Sequence, residues 1–152
     1  LLLVKDEEWG SPVVMMAAVD PMHSHNKPTF LDKKILESAS TVAKQLGGVL
    51  HVVHAYAEAA RPFAPAGKIK EEHSKAFAEL MADYDFDASQ QHLIDETPVY
   101  AVQQYGKEIH SNIAVMGAVS RSRWSEALIG STAEKVLDYI KTDILLLKPT
   151  AD

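Results

Sequence analysis

Apolar and polar positions along this chain follow two different periods, and the order in which those periods succeed one another predicts the fold. Residues 13–19 form a nearly continuous apolar run ending in Asp20 and Pro21, as expected of a central strand covered on both faces. A turn-rich segment, residues 21–29, follows. Leu31, Ile35, Ala39, Val42 and Leu46 then recur at helical spacing, and Gly47 with Gly48 supplies a stop that tolerates the left-handed region. Residues 49–56 read as a second strand. Residues 57–67 read as a loop that Pro62 and Pro65 keep out of regular structure, lying over the strand ends with Phe63 available to cover an apolar pocket. Ile69, His73, Phe77, Leu80 and Met81 share one side of a helix over 69–83, leaving Lys68, Lys70, Glu71, Glu72 and Glu79 to solvent. Residues 91–95 make a short strand. Thr97 is placed to cap a helix with Pro98 at its first position, running through Val102 and Tyr105 to His110. Residues 113–117 and 144–148 are strands, and residues 130–141 a helix between them. Strands and helices alternating in this way give βαβ units and a mostly parallel α/β sheet with right-handed crossovers.

Composition narrows the picture further. The chain has 152 residues, enough for one domain that buries roughly two-thirds of its unfolded surface without disulfides or a structural metal. Its 47% hydrophobic and 24% charged residues are those of a globular domain, and no apolar run approaches the roughly 20 residues of a membrane span. The absence of cysteine removes disulfides, thiol nucleophiles and zinc ribbons, and fits a cytoplasmic setting. A net charge of −6 opposes binding to nucleic acid or to anionic membrane.

The opening Leu1, Leu2, Leu3 and Val4 run straight into Lys5, Asp6, Glu7 and Glu8, a strand pattern rather than a signal peptide. This opening echoes residues 144–149 at the other end. Chance is one explanation, since leucine-rich strands are common. The other is that residues 1–9 are the last strand and linker of a preceding copy of the same domain, with residues 10–152 the domain proper.

Candidate chemistry concentrates in residues 116–132. A strand ends at Met116 and Gly117, a polar loop follows, and Gly130, Ser131 and Thr132 open a helix. In an open parallel sheet ligands bind outside the carboxyl ends of the strands. A helix start offers free N–H groups and the positive end of a dipole, which suit a phosphate. Gly117 and Gly130 permit close backbone approach. The same residues would also serve as an ordinary helix cap with Glu134 downstream.

The spacing Gly117, Ser120, Gly130, Ser131 resembles the nucleotide motif of the universal stress proteins, which runs glycine, two residues, glycine, nine residues, then Gly-Ser or Gly-Thr. Residues 113–117 resemble that family's strand leading to Met-Gly, residues 13–20 its first strand ending in Val-Asp, residues 52–56 its second, and Thr97-Pro98 its third-helix entry. The likeness extends over residues 13–149, and the Ser-Thr-Ala-Glu at residues 131–134 together with the strand echo is most similar to tandem-domain, E-type members.

The resemblance implies a Rossmann-like three-layer sandwich with a five-stranded parallel sheet and four helices, plus an extra N-terminal edge strand. It also implies pairing with another such domain, or a homodimer, through edge strands. Leu1 to Val4 is expected beside residues 144–148, covering that edge. An adenine nucleotide such as ATP, with Mg²⁺, is the implied ligand in a stress-response regulatory role. Ala18, Val19 and Asp20 would stand at the base, with Ala55 or Tyr56 lining the pocket through backbone. Met116 and Gly117 would lie under the ribose and α-phosphate, and Gly130, Ser131 and Thr132 at the outer phosphates. Ser120 departs from the motif's glycine; if φ is positive there, serine costs on the order of 1 kcal/mol. A degenerate domain that binds a partly apolar, non-nucleotide ligand or serves dimerisation is the alternative this departure leaves open.

Arg121 and Arg123 can pair bidentately with phosphates or face solvent. Trp124 can cover the site or pack against the domain, packing being the commoner use of an aromatic. Among the seven histidines, His23 and His25 are the best opportunistic metal pair, because a loop can turn both rings to one ion. His51 and His54 are expected on opposite faces of their strand. Asp95 and Glu96 adjoin at a strand end. The chain has no Walker-type lysine and no base placed to activate water, so any ATP hydrolysis is expected to be slow.

Overall fold

The computed structural model describes residues 1–22, 28–60, 63–118 and 140–149. Six strands and three α-helices are present among them: β1 (Leu2–Leu3), β2 (Val14–Val19), α1 (Phe30–Gln45), β3 (Val49–Tyr56), α2 (Lys68–Met81), β4 (Gln91–Asp95), α3 (Pro98–Glu108), β5 (Ile113–Gly117) and β6 (Asp143–Leu147). The sheet order is β1-β6-β5-β2-β3-β4. β2 through β6 run parallel, and β1 joins the β6 edge antiparallel with Leu2 opposite Leu145 and Leu3 opposite Ile144.

Helix placement follows from the direction in which the chain moves across the sheet. From β2 to β3 to β4 it steps outward twice, and α1 and α2 pack on one face with Met15, Val19, Leu50, Val52 and Val115. From β4 to β5 it returns past the start, which places α3 on the other face with Met16, Val53, Ala114 and Met116. Residues on β2 alternate between these two cores, so Met15, Met16 and Ala17 are all fully buried. That accounts for the unbroken apolar run.

Helix ends are set by local backbone chemistry. Gly47, at φ 60°, follows the C-cap of α1, and Gly48 N–H donates to Ala43 O at 2.8 Å. At α3 the same device uses a non-glycine residue. His110 takes φ 51° and Ser111 N–H returns to Gly106 O at 2.8 Å, so α3 stops at Glu108 rather than running on to His110. Thr97 stands at the N-cap with Pro98 behind it, as the sequence predicts, but its side chain makes no cap hydrogen bond. Residues 57–67 contain a short 3₁₀ turn, Glu58–Ala60. Most of the expected helix over 130–141 lies outside the described residues, and its predicted end is corrected: Ile140 and Lys141 are not helical, leading directly into β6.

The segment before β2 is bound by one residue that periodicity does not single out. Asp143 is only 3% exposed; Oδ1 accepts from Lys5 N–H at 2.6 Å and Oδ2 from Trp9 Nε1–H at 2.8 Å. Leu146 N–H donates to Leu1 O at 2.8 Å.

Two outcomes are expected. A Cβ at Gly48 would stand 2.5 Å from the Val13 carbonyl oxygen, so Gly48→Ala should lower the urea midpoint more than Gly47→Ala, which costs about 1 kcal/mol. Equal effects would contradict the clash. Asp143→Ala should release residues 1–9, read as a red-shifted Trp9 emission and faster amide exchange at Leu2 and Leu3, at a cost of about 1–3 kcal/mol. Unchanged exchange there would show that Asp143 is not the anchor.

Candidate functional site

The direction of strand addition reverses between β2 and β5, which makes their carboxyl ends the topological switch point. β2 leads into α1, and the carboxyl ends of β2 and β5 lie side by side at the point where the strand order reverses, which is where open parallel sheets place their ligand crevice. The register sets Ala18 beside Met116 across this gap and Val19 beside His54 on the other side of β2. Ala18, Val19, Asp20, Ala55, Met116 and Gly117 therefore gather at one end of the sheet. Tyr56 ends β3 opposite Asp95, with its ring buried on the α2 side, 5.8 Å from the ring of His73.

Gly117 has a structural reason of its own. A Cβ there would come within 2.7 Å of the Leu31 side chain, so its small size lets α1 lie close over the end of β5. Ala118 N–H continues the ladder to Leu147 O at 2.9 Å.

Behind Val19 and Asp20 lies a buried polar layer that the sequence reading missed. Asp32, in the first turn of α1 and 1% exposed, accepts from Asp20 N–H at 2.9 Å. His54, also 1% exposed, has Nδ1 at 3.2 Å from the Val19 carbonyl and Nε2 at 2.8 Å from Nδ1 of His73 on α2. A carbonyl only accepts, so His54 Nδ1 carries a proton; in the neutral pair His54 Nε2 then accepts and His73 Nδ1 donates. The rings lie within 16° of coplanar, end to end rather than face to face, because the 5.0 Å between centroids is close to the N to N distance plus two ring radii. Two features could have signalled this layer: His54 falls on an inward position of its strand, and His73 shares the apolar side of its helix.

Burial pushes the His54 pKa below its ordinary value of 6.5; the neighbouring His73 lowers it as well, against the raising effects of the Val19 carbonyl and of Asp20 and Asp32. His51 and His92 are lowered too, chiefly by burial. His51 faces the α3 side and His54 the α2 side, the opposite faces expected of them.

Several expected residues take other roles or cannot be placed. Ser120, Arg121, Arg123, Trp124, Gly130, Ser131, Thr132, His23 and His25 lie outside the described residues. Phe63 is 100% exposed, so the apolar cover expected from its loop is not made by its ring. Asp95 ties the loop instead: it accepts from Glu58 N–H at 3.1 Å, and Glu58 in turn accepts from Gly67 N–H at 2.8 Å. Among the described residues no three His, Cys, Asp or Glu side chains are gathered to hold a metal, and no helix is long and apolar enough to cross a membrane.

The switch-point geometry and the strand order belong to a recognised group of proteins. The profile of the "Universal stress protein family" matches residues 31–148. The chain belongs to the universal stress protein family. Among curated relatives, universal stress protein E of Photorhabdus laumondii is 27% identical over 164 residues, spanning 97% of this chain and 51% of its own length. The chain thus spans about half the length of the curated relatives it matches. A crystal structure of a Pseudomonas aeruginosa PAO1 protein described as functionally unknown superposes with a TM-score of 0.80 at 28% identity, over 97% of this chain and 51% of that one. More distant solved structures share the fold: a universal stress protein in complex with cAMP (TM-score 0.59, 21% identity, 91% of this chain and 98% of that one) and one from Archaeoglobus fulgidus in complex with dAMP (0.58, 18%, 88% and 96%). The α/β Usp fold, with its extra edge strand, is as the sequence resemblance implies.

A histidine whose folded pKa lies below its unfolded value binds its proton more readily in the unfolded chain, so acid favours unfolding between the two. The stability held by His54, His51 and His92 is therefore complete above about pH 6.5 and is lost as the pH falls below it toward the folded values. Urea midpoints should fall on moving from pH 7.5 to pH 5, and His54→Gln should flatten that slope. An identical slope in the variant would refute the role of His54.

Proposed function

We propose that this Usp domain binds an adenine nucleotide, with ATP and Mg²⁺ the leading pair, in the crevice between the ends of β2 and β5, and acts as a regulatory binding domain in stress responses. The observation that carries the reading is the convergence of Ala18, Val19 and Asp20 with Met116 and Gly117 at the switch point. Bound cAMP and dAMP in two structural neighbours support the ligand class. In this reading Asp20 and the neighbouring backbone face the base end, Ala55 and Tyr56 line the pocket through backbone, and Met116 and Gly117 lie under the ribose and α-phosphate. Ser120, Arg121, Gly130, Ser131 and Thr132 receive the phosphates. Mg²⁺ would enter on the phosphates rather than in a cage of protein ligands.

Residues 1–9 we assign to the strand and linker of a preceding Usp domain, in keeping with relatives about twice as long as this chain. A second domain pairing through the same edge is the partner this implies.

Calorimetric titration of the full chain with ATP and Mg²⁺ tests the reading. Saturable binding that weakens in Asp20→Ala supports it; no heat at millimolar nucleotide removes it. Ser120→Gly should tighten binding about fivefold, the equivalent of about 1 kcal/mol of relieved backbone strain. Unchanged affinity would reject the strain account while leaving the site itself standing.

A further inference from the structure

On the face of the sheet opposite α1 and α2, near the starts of β3 and β4, three side chains from three elements converge. His51 Nδ1 on β3 lies 3.1 Å from His92 Nε2 on β4, and Tyr105 Oη on α3 lies 2.6 Å from the same nitrogen. His92 is also hydrogen bonded to the Ser89 backbone. His92 Nε2 thus has two polar atoms from two other elements within hydrogen-bond distance. Tyr105 Oη and His51 Nδ1 converge on this one nitrogen.

We propose that His51 and His92, with Tyr105 beside them, form a binding site for a divalent transition-metal ion of the Zn²⁺ or Cu²⁺ class, distinct from the nucleotide crevice at the other end of the strands. Two imidazole nitrogens 3.1 Å apart fit one ion at about 2.0–2.1 Å from each, with an angle of about 100° at the metal. That angle lies between square-planar and tetrahedral geometry, within reach of either ion. The carbonyl behind His92 is the outer support that metal-binding histidines use to fix tautomer and ring orientation. Glu108, one turn along α3 from Tyr105, places negative potential on both His92 and Tyr105. Both imidazoles are half-buried rather than fully enclosed.

Tyr105 Oη, 2.6 Å from His92 Nε2, is placed to serve as a hydroxyl ligand or a hydrogen-bond partner to metal-bound water. With two imidazoles and no carboxylate cage, the site discriminates against Mg²⁺ and Ca²⁺, which take oxygen ligands.

Titration of the full chain at pH 7.5 with Zn²⁺ and, separately, Cu²⁺ tests the proposal. The expected result is one site whose affinity falls at least about tenfold in His51→Gln and in His92→Gln and is unaltered in the double variant His23→Ala/His25→Ala. Nitrogen NMR of the imidazoles in the unaltered chain gives a readout independent of how the variants fold: His51 and His92 should shift with one equivalent of Zn²⁺. No binding, binding lost only in the His23/His25 variant, or resonances of His51 and His92 unmoved at saturating Zn²⁺ would each overturn it.

Discussion

β2 pairs in parallel on both sides at once, Ala18 standing beside Val53 of β3 and beside Met116 of β5. A strand held this way has no solvent face, so each of its residues must be apolar or small, and helices must cover both sides. The β2-to-β3 crossover and the return from β4 to β5 set β3 and β5 on opposite sides of β2, and this puts the reversal of strand order at its carboxyl end. Fold and candidate site are thus two results of one pairing.

The crevice is also supported from behind. Asp32 and His54 come from different elements and fasten the backbone of consecutive residues, Asp20 through its N–H and Val19 through its carbonyl. Through His73 the support extends to α2. Buried polar groups in low dielectric are costly unless their partners are in place, so this layer gives the end of β2 one well-defined backbone course. The backbone course at Asp20 therefore depends on α1 and α2 together.

Much of the architecture was legible from periodicity because parallel strands and amphipathic helices write strong, distinct patterns. The run at residues 13–19, the stripe from Leu31 to Leu46 and the Gly47-Gly48 stop all correspond to observed elements. Helix termination at His110 was not legible, since a histidine in the left-handed region carries no compositional signal. Nor were the pairings His54 with His73 and Asp143 with Trp9, because both join residues far apart in sequence and only the finished sheet brings them together. The strand ends at the site could be placed from pattern alone. Ser120, Gly130, Ser131 and Thr132 are marked out by resemblance and spacing alone, and they lie outside the described residues.

Asp143 bears on where the domain is to be considered to begin. Its carboxylate is buried at the start of β6, and its two donors come from Lys5 and Trp9, ahead of the first long strand. A chain cut before Gly10 would keep the acid and lose both donors, leaving negative charge against a sheet edge stripped of β1. Residues 1–9 are therefore part of the folding unit they flank, whatever their evolutionary source, and a fragment that starts at Gly10 is not an energetic equivalent of the domain.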